Sequence, residues 1–328
     1  MAEKTLARAL NEALAEEMER DESVFLIGED MTRGAFSVTN GLGAKFGDDR
    51  VINSPLSESA IAGVCAGAAM MGRRPVGEIM FGDMMLLAMD QLVNSAAKVR
   101  YCSNGKSSAP LVIRSANGGM GRGMGPHHNQ SFEAMVAHVA GLVVVMPSNP
   151  ADGKGLLKSA IRCDDPVIFL EPKSIYYVKG EVPKGEHLVP LGKADVKREG
   201  TDLTLVATGA MVNKGLNAAE KLQSEGIDIE VVDPRTLKPL DKETIKQSVA
   251  KTGRLVIVEE ACKSGSFGAH VASVIAEEAF HSLKAPIGRV AAPDTPIPAN
   301  NIIEKIYLPD EGRIIAAVKS TINASKEN

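Results

Sequence analysis

Short β-branched runs alternate with longer stretches of helical period along this chain. The pattern predicts strands over Val24–Ile27, Val76–Met80, Leu111–Arg114, Leu142–Met146 and Val167–Leu170. It predicts helices over Thr5–Arg20, Ser59–Met71, Met84–Val99, Glu133–His138 and Pro150–Ile161. Strands that alternate with helices imply βαβ units and a mostly parallel sheet, hence an α/β fold. The pattern breaks over residues 171–200, a stretch rich in Lys, Pro and Gly. A second alternating series follows, with strands over Leu203–Ala207, Ile227–Val232, Leu255–Val258 and Ile287–Ala291. Its helices are expected over Asn213–Glu225, Lys242–Lys251 and Ala269–Phe280. Two α/β domains are therefore expected, over 1–175 and 201–328, with 176–200 as a linker.

One predicted helix is unusual. Ala60–Gly72 reads AIAGVCAGAAMMG. Glycine inside a helix costs about 1 kcal/mol against alanine, and Gly63 and Gly67 both carry that cost. Small side chains let another backbone approach closely. Tight packing within one domain would use this, and so would a contact between subunits; we expect the subunit contact.

Composition narrows the function. The chain has 328 residues, a net charge of −4 and 4% aromatic residues. It lacks the basic surface that nucleic acid or an anionic membrane would need. No apolar run approaches the ~20 residues that span a bilayer. The charged N-terminal stretch has no apolar signal region, so a cytoplasmic protein is expected. Cys65, Cys102, Cys163 and Cys262 are far apart, with neither disulfide-framework nor zinc spacing, and read as free thiols. The run Gly118–Gly125 fails the dinucleotide-loop spacing, because Met124 stands where the third glycine is required.

The most informative stretch is Asn53–Gly72, NSPLSESAIAGVCAGAAMMG. Ser57 stands where a helix cap belongs and Glu58 falls in the first turn. An acid there gains ~0.3–1 kcal/mol from the helix dipole, and that alone could explain it. The helix behind Glu58 is almost wholly apolar, however. A carboxyl set against it would be partly desolvated, a condition under which it can hold and release a proton.

Five separate motifs now agree in order and spacing. They are NSPLSESAIAG, RPVGEIMF (Arg74–Phe81), AMDQLVNSAAK (Ala88–Lys98), GPHHNQSFEA (Gly125–Ala134) and GLLKSAIRCDDPVIFLE (Gly155–Glu171). DPRTLKPLD, RLVIVEEACKSGSFG and APDTPIP extend the agreement through the second half. The chain resembles the E1 β subunits of the thiamine-diphosphate-dependent 2-oxo acid and acetoin dehydrogenases, over nearly its whole length.

The resemblance implies a thiamine-diphosphate pyrimidine-binding domain followed by a transketolase-like C-terminal domain. It matches Glu58 to the glutamate that bonds N1′ of the aminopyrimidine. It matches His128 to a histidine at the mouth of the site, which would assist acyl transfer. Leu56, Met80 and Met84 match positions lining the pyrimidine. Leu111, Ala160, Ile161, Cys163 and Asp165 match a potassium site built largely of backbone carbonyls. His127, Asn129 and Met84 depart from the commoner residues of the family, which often has an aromatic side chain at the position of Met84. The family's GDG…N motif for Mg²⁺ and diphosphate is missing here. The resemblance assigns that half to a separate α subunit, in an α₂β₂ heterotetramer, with an E2 lipoyl acyltransferase as acceptor. Pyruvate is the expected substrate, with acetoin and branched-chain 2-oxo acids open. Two alternatives stand beside it. A single-chain transketolase would carry three domains, and a non-catalytic assembly subunit would need neither Glu58 nor His128.

Overall fold

The computed structural model describes residues 1–325. The chain forms two compact units, one of residues 1–118 and 127–191, the other of residues 119–126 and 192 onward.

In the first unit, six strands form one parallel sheet. Their order across it is Val143–Val145, Val167–Pro172, Val112–Asn117, Arg74–Phe81, Val24–Gly28 and Val51–Asn53. The central strands are buried on both faces, as parallel strands covered by helices must be. The edge strand Val51–Asn53 was not predicted; three residues leave too short a run to show a period.

The helix Leu6–Arg20 turns an apolar face of Leu6, Ala9, Leu10, Ala13 and Leu14 to the core, capped by the Thr5 side chain. It lies against the helix Pro150–Arg162. Charges lock the pair along its rim: Lys154 donates to Glu16 at 2.5 Å, and Lys158 donates to Glu16 at 2.8 Å. Part of the expected linker belongs to this unit, because Lys179–Val182 pairs antiparallel with Ala2–Thr5.

The Ala/Gly helix runs from Glu58 to Met70. Ile61, Ala62, Cys65, Ala66 and Ala69 face inward, while Val64, Met70 and Met71 are exposed. Its inner face rides on Gly77 of the neighbouring strand, where a Cβ would lie 2.8 Å from the Cys65 sulfur and 2.8 Å from Ile113. Glycine is thus needed at position 77 for close helix–sheet approach. At Gly67 a Cβ would meet nothing within 4 Å, so packing within the unit does not require that glycine.

The single helix expected across Met84–Val99 is instead a helix Met85–Asp90, a π-helical stretch Gln91–Ala96 and a short helix Val99–Cys102. The backbone bond from Ala97 N–H to the Leu92 carbonyl, 2.9 Å, marks the wider turn. No glycine or proline lies within it, so residue type gave no warning.

The second unit has a five-stranded sheet in the order Gly288–Ala292, Leu255–Cys262, Leu203–Ala207, Ile229–Asp233, Asp195–Arg198. The last strand is antiparallel, and it falls within the stretch expected to be linker. Helices Ala210–Gln223, Lys242–Thr252 and Phe267–Glu278 match the predicted ones to within a few residues. A further helix, Glu311–Ala324, was not foreseen; the Asp310 side chain caps it.

Candidate functional site

In an open parallel sheet, ligands sit beyond the carboxyl ends of the strands, where the strand order reverses. In the first unit that point lies between Val24–Gly28 and Arg74–Phe81. One connection leaves toward the edge strand Val51–Asn53, the other toward Val112–Asn117. The residues that follow these two strand ends, and the helix after the edge strand, form the candidate site.

Glu58 opens that helix and is only 6% exposed. Ser57 takes the capping position, but its side chain makes no capping bond. Among the described residues no side chain or amide is hydrogen-bonded to the Glu58 carboxylate. Its charge is felt by Glu29, just beyond the end of Val24–Gly28. Burial first, then the charges of Glu58, Asp30 and Glu78, push the Glu29 carboxyl above its ordinary range. The Glu58 side chain is largely covered, yet its carboxylate oxygens are not sealed from solvent and are left open to a ligand.

Beneath these acids lies a buried ionic row across adjacent strands. Arg114, 2% exposed, donates to Glu78 at 2.7 Å and to both oxygens of Glu171 at 2.7 and 2.9 Å. The Tyr176 hydroxyl donates to Glu171 at 2.6 Å. One guanidinium serves two carboxylates, and the Glu78 carboxyl is pushed up, by burial first and then by Glu171 against the pull of Arg114.

Aromatic rings continue from there toward His128. Tyr176 stacks on Phe36 with centroids 4.9 Å apart, Phe36 meets Phe81 edge-on at 5.9 Å, and Phe81 meets His128 edge-on at 4.4 Å. Such edge contacts are the favoured aromatic geometry. The His128 backbone is fixed as well. Lys173, 1% exposed, donates to the His128 carbonyl and, at 2.8 Å, to the Asn129 side-chain oxygen. The loop is tied again where Gln130 N–H donates to Asp83 at 3.3 Å and Phe132 N–H donates to Asn117 at 3.0 Å.

Among the sequence-derived candidates, His128 stands against Phe81, one residue after Met80 and three before Met84. Met80 and Met84 are half-buried at the end of the strand and in the 3₁₀ turn that follows it. Leu56 is 78% exposed, a large apolar side chain with water on most of its surface. Glu29, Phe36, Phe81 and Lys173 were missed. Glu29, Phe81 and Lys173 lie within three residues of the ends of predicted strands, while Phe36 lies in a long loop with no such signal.

Leu111, Ala160, Ile161, Cys163 and Asp165 lie apart from this site, and one oxygen of each already accepts a hydrogen bond. The Ile161 and Cys163 carbonyls accept from Arg74 at 3.0 and 2.9 Å. Asp165 accepts from Arg100 at 2.5 Å. A potassium ion here would share the Ile161 and Cys163 carbonyls with the Arg74 guanidinium charge.

The glycine run, rejected as a dinucleotide loop, has another use within the second unit. Met120, Gly121 and Gly123 donate their amides to the buried Glu304 carboxylate, at 3.0, 2.9 and 2.6 Å. A Cβ at Gly123 would lie 2.2 Å from the Ala299 carbonyl oxygen. The amide cradle holds a protein carboxylate where a nucleotide loop would hold phosphate.

Comparison with known proteins identifies the two domains. Residues 2–179 match the transketolase pyrimidine-binding domain and residues 192–314 the transketolase C-terminal domain. The chain is 48% identical to the 2-oxoisovalerate dehydrogenase subunit beta of Bacillus subtilis, over 95% of this chain and 96% of that one. It is 44% identical to the acetoin:2,6-dichlorophenolindophenol oxidoreductase subunit beta of Cupriavidus necator, over 99% of this chain and 100% of that one. It is 45% identical to the pyruvate dehydrogenase E1 component subunit beta of Bacillus subtilis, over 98% of this chain and 99% of that one. Its fold matches a solved split-gene transketolase, described as an inactive β4 tetramer, with TM-score 0.80 and 25% identity over 98% of this chain and 99% of that one. With two transketolase domains in order and relatives matched nearly end to end, the chain belongs to the family of E1 β subunits of the thiamine-diphosphate-dependent 2-oxo acid and acetoin dehydrogenases.

Proposed function

We propose that this chain supplies the pyrimidine half of a thiamine-diphosphate site and that Glu58 is its proton-handling residue. The observation that carries this is the largely covered Glu58 side chain, whose carboxylate has no hydrogen-bond partner among the described residues and stands at the sheet's switch point. Its partner would be N1′ of the aminopyrimidine. Leu56, Met80 and Met84 would line the ring, with methionine sulfur replacing part of an aromatic stack. When bound, thiamine diphosphate supplies the carbanion chemistry, and the protein supplies orientation and electrostatics. Glu58 would hold or release the proton at N1′. His128, braced by Phe81 and Lys173, would offer a hydrogen bond to the group being transferred.

The other half of the site would come from an α subunit, which would hold Mg²⁺ and the diphosphate, in an α₂β₂ assembly. The acyl group would pass to the lipoyl arm of an E2 acyltransferase. Pyruvate remains the expected substrate. Relatives at 44–48% identity carry branched-chain, acetoin and pyruvate names alike, so similarity does not choose among them. Potassium does not enter this reading, since Arg74 and Arg100 bring positive charge to three of its five expected positions.

The deciding experiment is Glu58→Gln in the protein isolated with its partner. Turnover should fall at least ~10²-fold, the usual scale for losing a positioned acid or base, with the circular dichroism and native mass unchanged. Near-normal turnover would remove Glu58 from the chemistry. A wild-type chain that recruits no second subunit and no thiamine diphosphate would instead favour the non-catalytic assembly subunit.

A further inference from the structure

The helix Pro150–Arg162 ends at Cys163 and runs into the turn Cys163–Pro166. A helix C-terminus leaves carbonyls without partners and carries partial negative charge. Asp164 and Asp165 add two carboxylates in the next two positions. So much negative charge in one turn calls for a cation.

The cation present is a side chain. Arg74 begins the strand Arg74–Phe81. Its Nη1 donates to the Ile161 carbonyl at 3.0 Å and to the Cys163 carbonyl at 2.9 Å, and its Nη2 donates to Asp164 at 2.5 Å. Arg100 closes the other side, with Nε donating to Asp165 at 2.5 Å and Nη2 to the Asp164 carbonyl at 3.2 Å. The two remaining oxygens of the expected set are also used. The Ala160 carbonyl accepts from Cys163 N–H at 3.2 Å, and the Leu111 carbonyl accepts from Val167 N–H at 2.9 Å.

We infer that Arg74, assisted by Arg100, supplies from within the chain the positive charge that a bound potassium ion would give this turn, so the protein needs no potassium here. Nη1 bridges the Ile161 and Cys163 carbonyls. An ion added at that point would share its ligands with a permanent positive charge. A guanidinium suits the role because it stays ionised at any working pH and presents several donors in a rigid plane. The inference does not depend on the thiamine reading, because it is read out by unfolding.

The test uses the full chain isolated from its own cells with whatever subunit it carries. Its melting temperature is measured in potassium, sodium and choline chloride at equal ionic strength. The wild type should melt within about 1 °C in all three, a change well below that of a lost charge-assisted hydrogen bond. Arg74→Met should melt lower in choline chloride by about 4 °C or more and regain at least half of that loss in potassium chloride. Arg74→Lys keeps a charge, and should lose less and respond no more to potassium than the wild type. A wild type stabilised by several degrees in potassium over choline would overturn the inference. An Arg74→Met protein that melts alike in all three salts would overturn it too. If Arg74→Met gives no folded protein, the wild type and Arg74→Lys still decide.

Discussion

At the scale of single residues, the site is governed by which polar groups find partners inside the chain. Arg114, Glu171 and Tyr176 satisfy one another below the strand ends. Glu58 does not take part, and its carboxylate accepts no hydrogen bond among the described residues, which leaves it open to a ligand. His128 is held from two sides, by a ring contact and by Lys173 on its backbone. Removing its imidazole should therefore remove a donor without loosening the loop. His128→Ala is expected to slow acyl transfer to lipoamide ~10²-fold or more while leaving thiamine diphosphate affinity within about twofold, since no pyrimidine-lining role is assigned to it. Stopped-flow transfer rates alongside cofactor titration would separate the two; equal damage to both would make His128 a cofactor ligand instead. Glu58 could be read from the sequence because an acid followed by an apolar helix is conspicuous. Lys173 and Glu29 could not, because an isolated lysine or glutamate is ordinarily a surface residue, and only the fold buries Lys173 and brings Glu29 beside Glu58.

Secondary elements meet through small residues and through charge. Gly77 lets the Glu58–Met70 helix settle on the sheet, and a Cβ there would collide with Cys65 and Ile113. Gly77→Val should destabilise the chain by about 1–3 kcal/mol, the usual scale of overpacking, seen as a lower thermal midpoint. An unchanged midpoint would show that the helix can shift without loss. The Leu6–Arg20 and Pro150–Arg162 helices are tied by Glu16 to Lys154 and Lys158. Burial alone would raise the Glu16 carboxyl, but hydrogen bonds from the two lysines and their charges hold it below its ordinary value of 4.5. A depressed folded-state value means that the stabilisation is whole above the unfolded value and is lost as pH falls through the folded one. The gap in melting temperature between wild type and Glu16→Gln should thus be open at pH 7 and close below about pH 4. A gap of the same size at pH 7 and pH 3.5 would refute that role. The pairing of Lys179–Val182 with Ala2–Thr5 has no counterpart in sequence periodicity, since four-residue edge strands take their register from their partner.

For the whole molecule the exposed surface is the guide. Leu56, Val64, Met70, Met71, Leu86 and Leu87 are all exposed on or near the Ala/Gly helix of the first unit. Gly67 faces outward with free space around a would-be Cβ. Gly67→Leu should leave the chain's own fold intact and lower the native mass of the assembled protein, as measured by native mass spectrometry. Retained assembly would assign these side chains to some other contact. No helix among the described residues is long and apolar enough to cross a membrane.

The sequence by itself determined the α/β class, the two alternating series and the family, because buried parallel strands read as apolar runs and motif order survives without coordinates. It also named Glu58 and His128 as candidates. Tertiary structure decided the rest, and for one reason: partner choice is non-local. Arg74 and Ile161 are 87 residues apart in the chain, and no spacing rule joins them. Nor could the pattern foresee that a glycine run would cradle Glu304, 183 residues from Gly121. Hydrophobic period reports which face is buried, but only the folded chain brings each polar group to the partner that satisfies it.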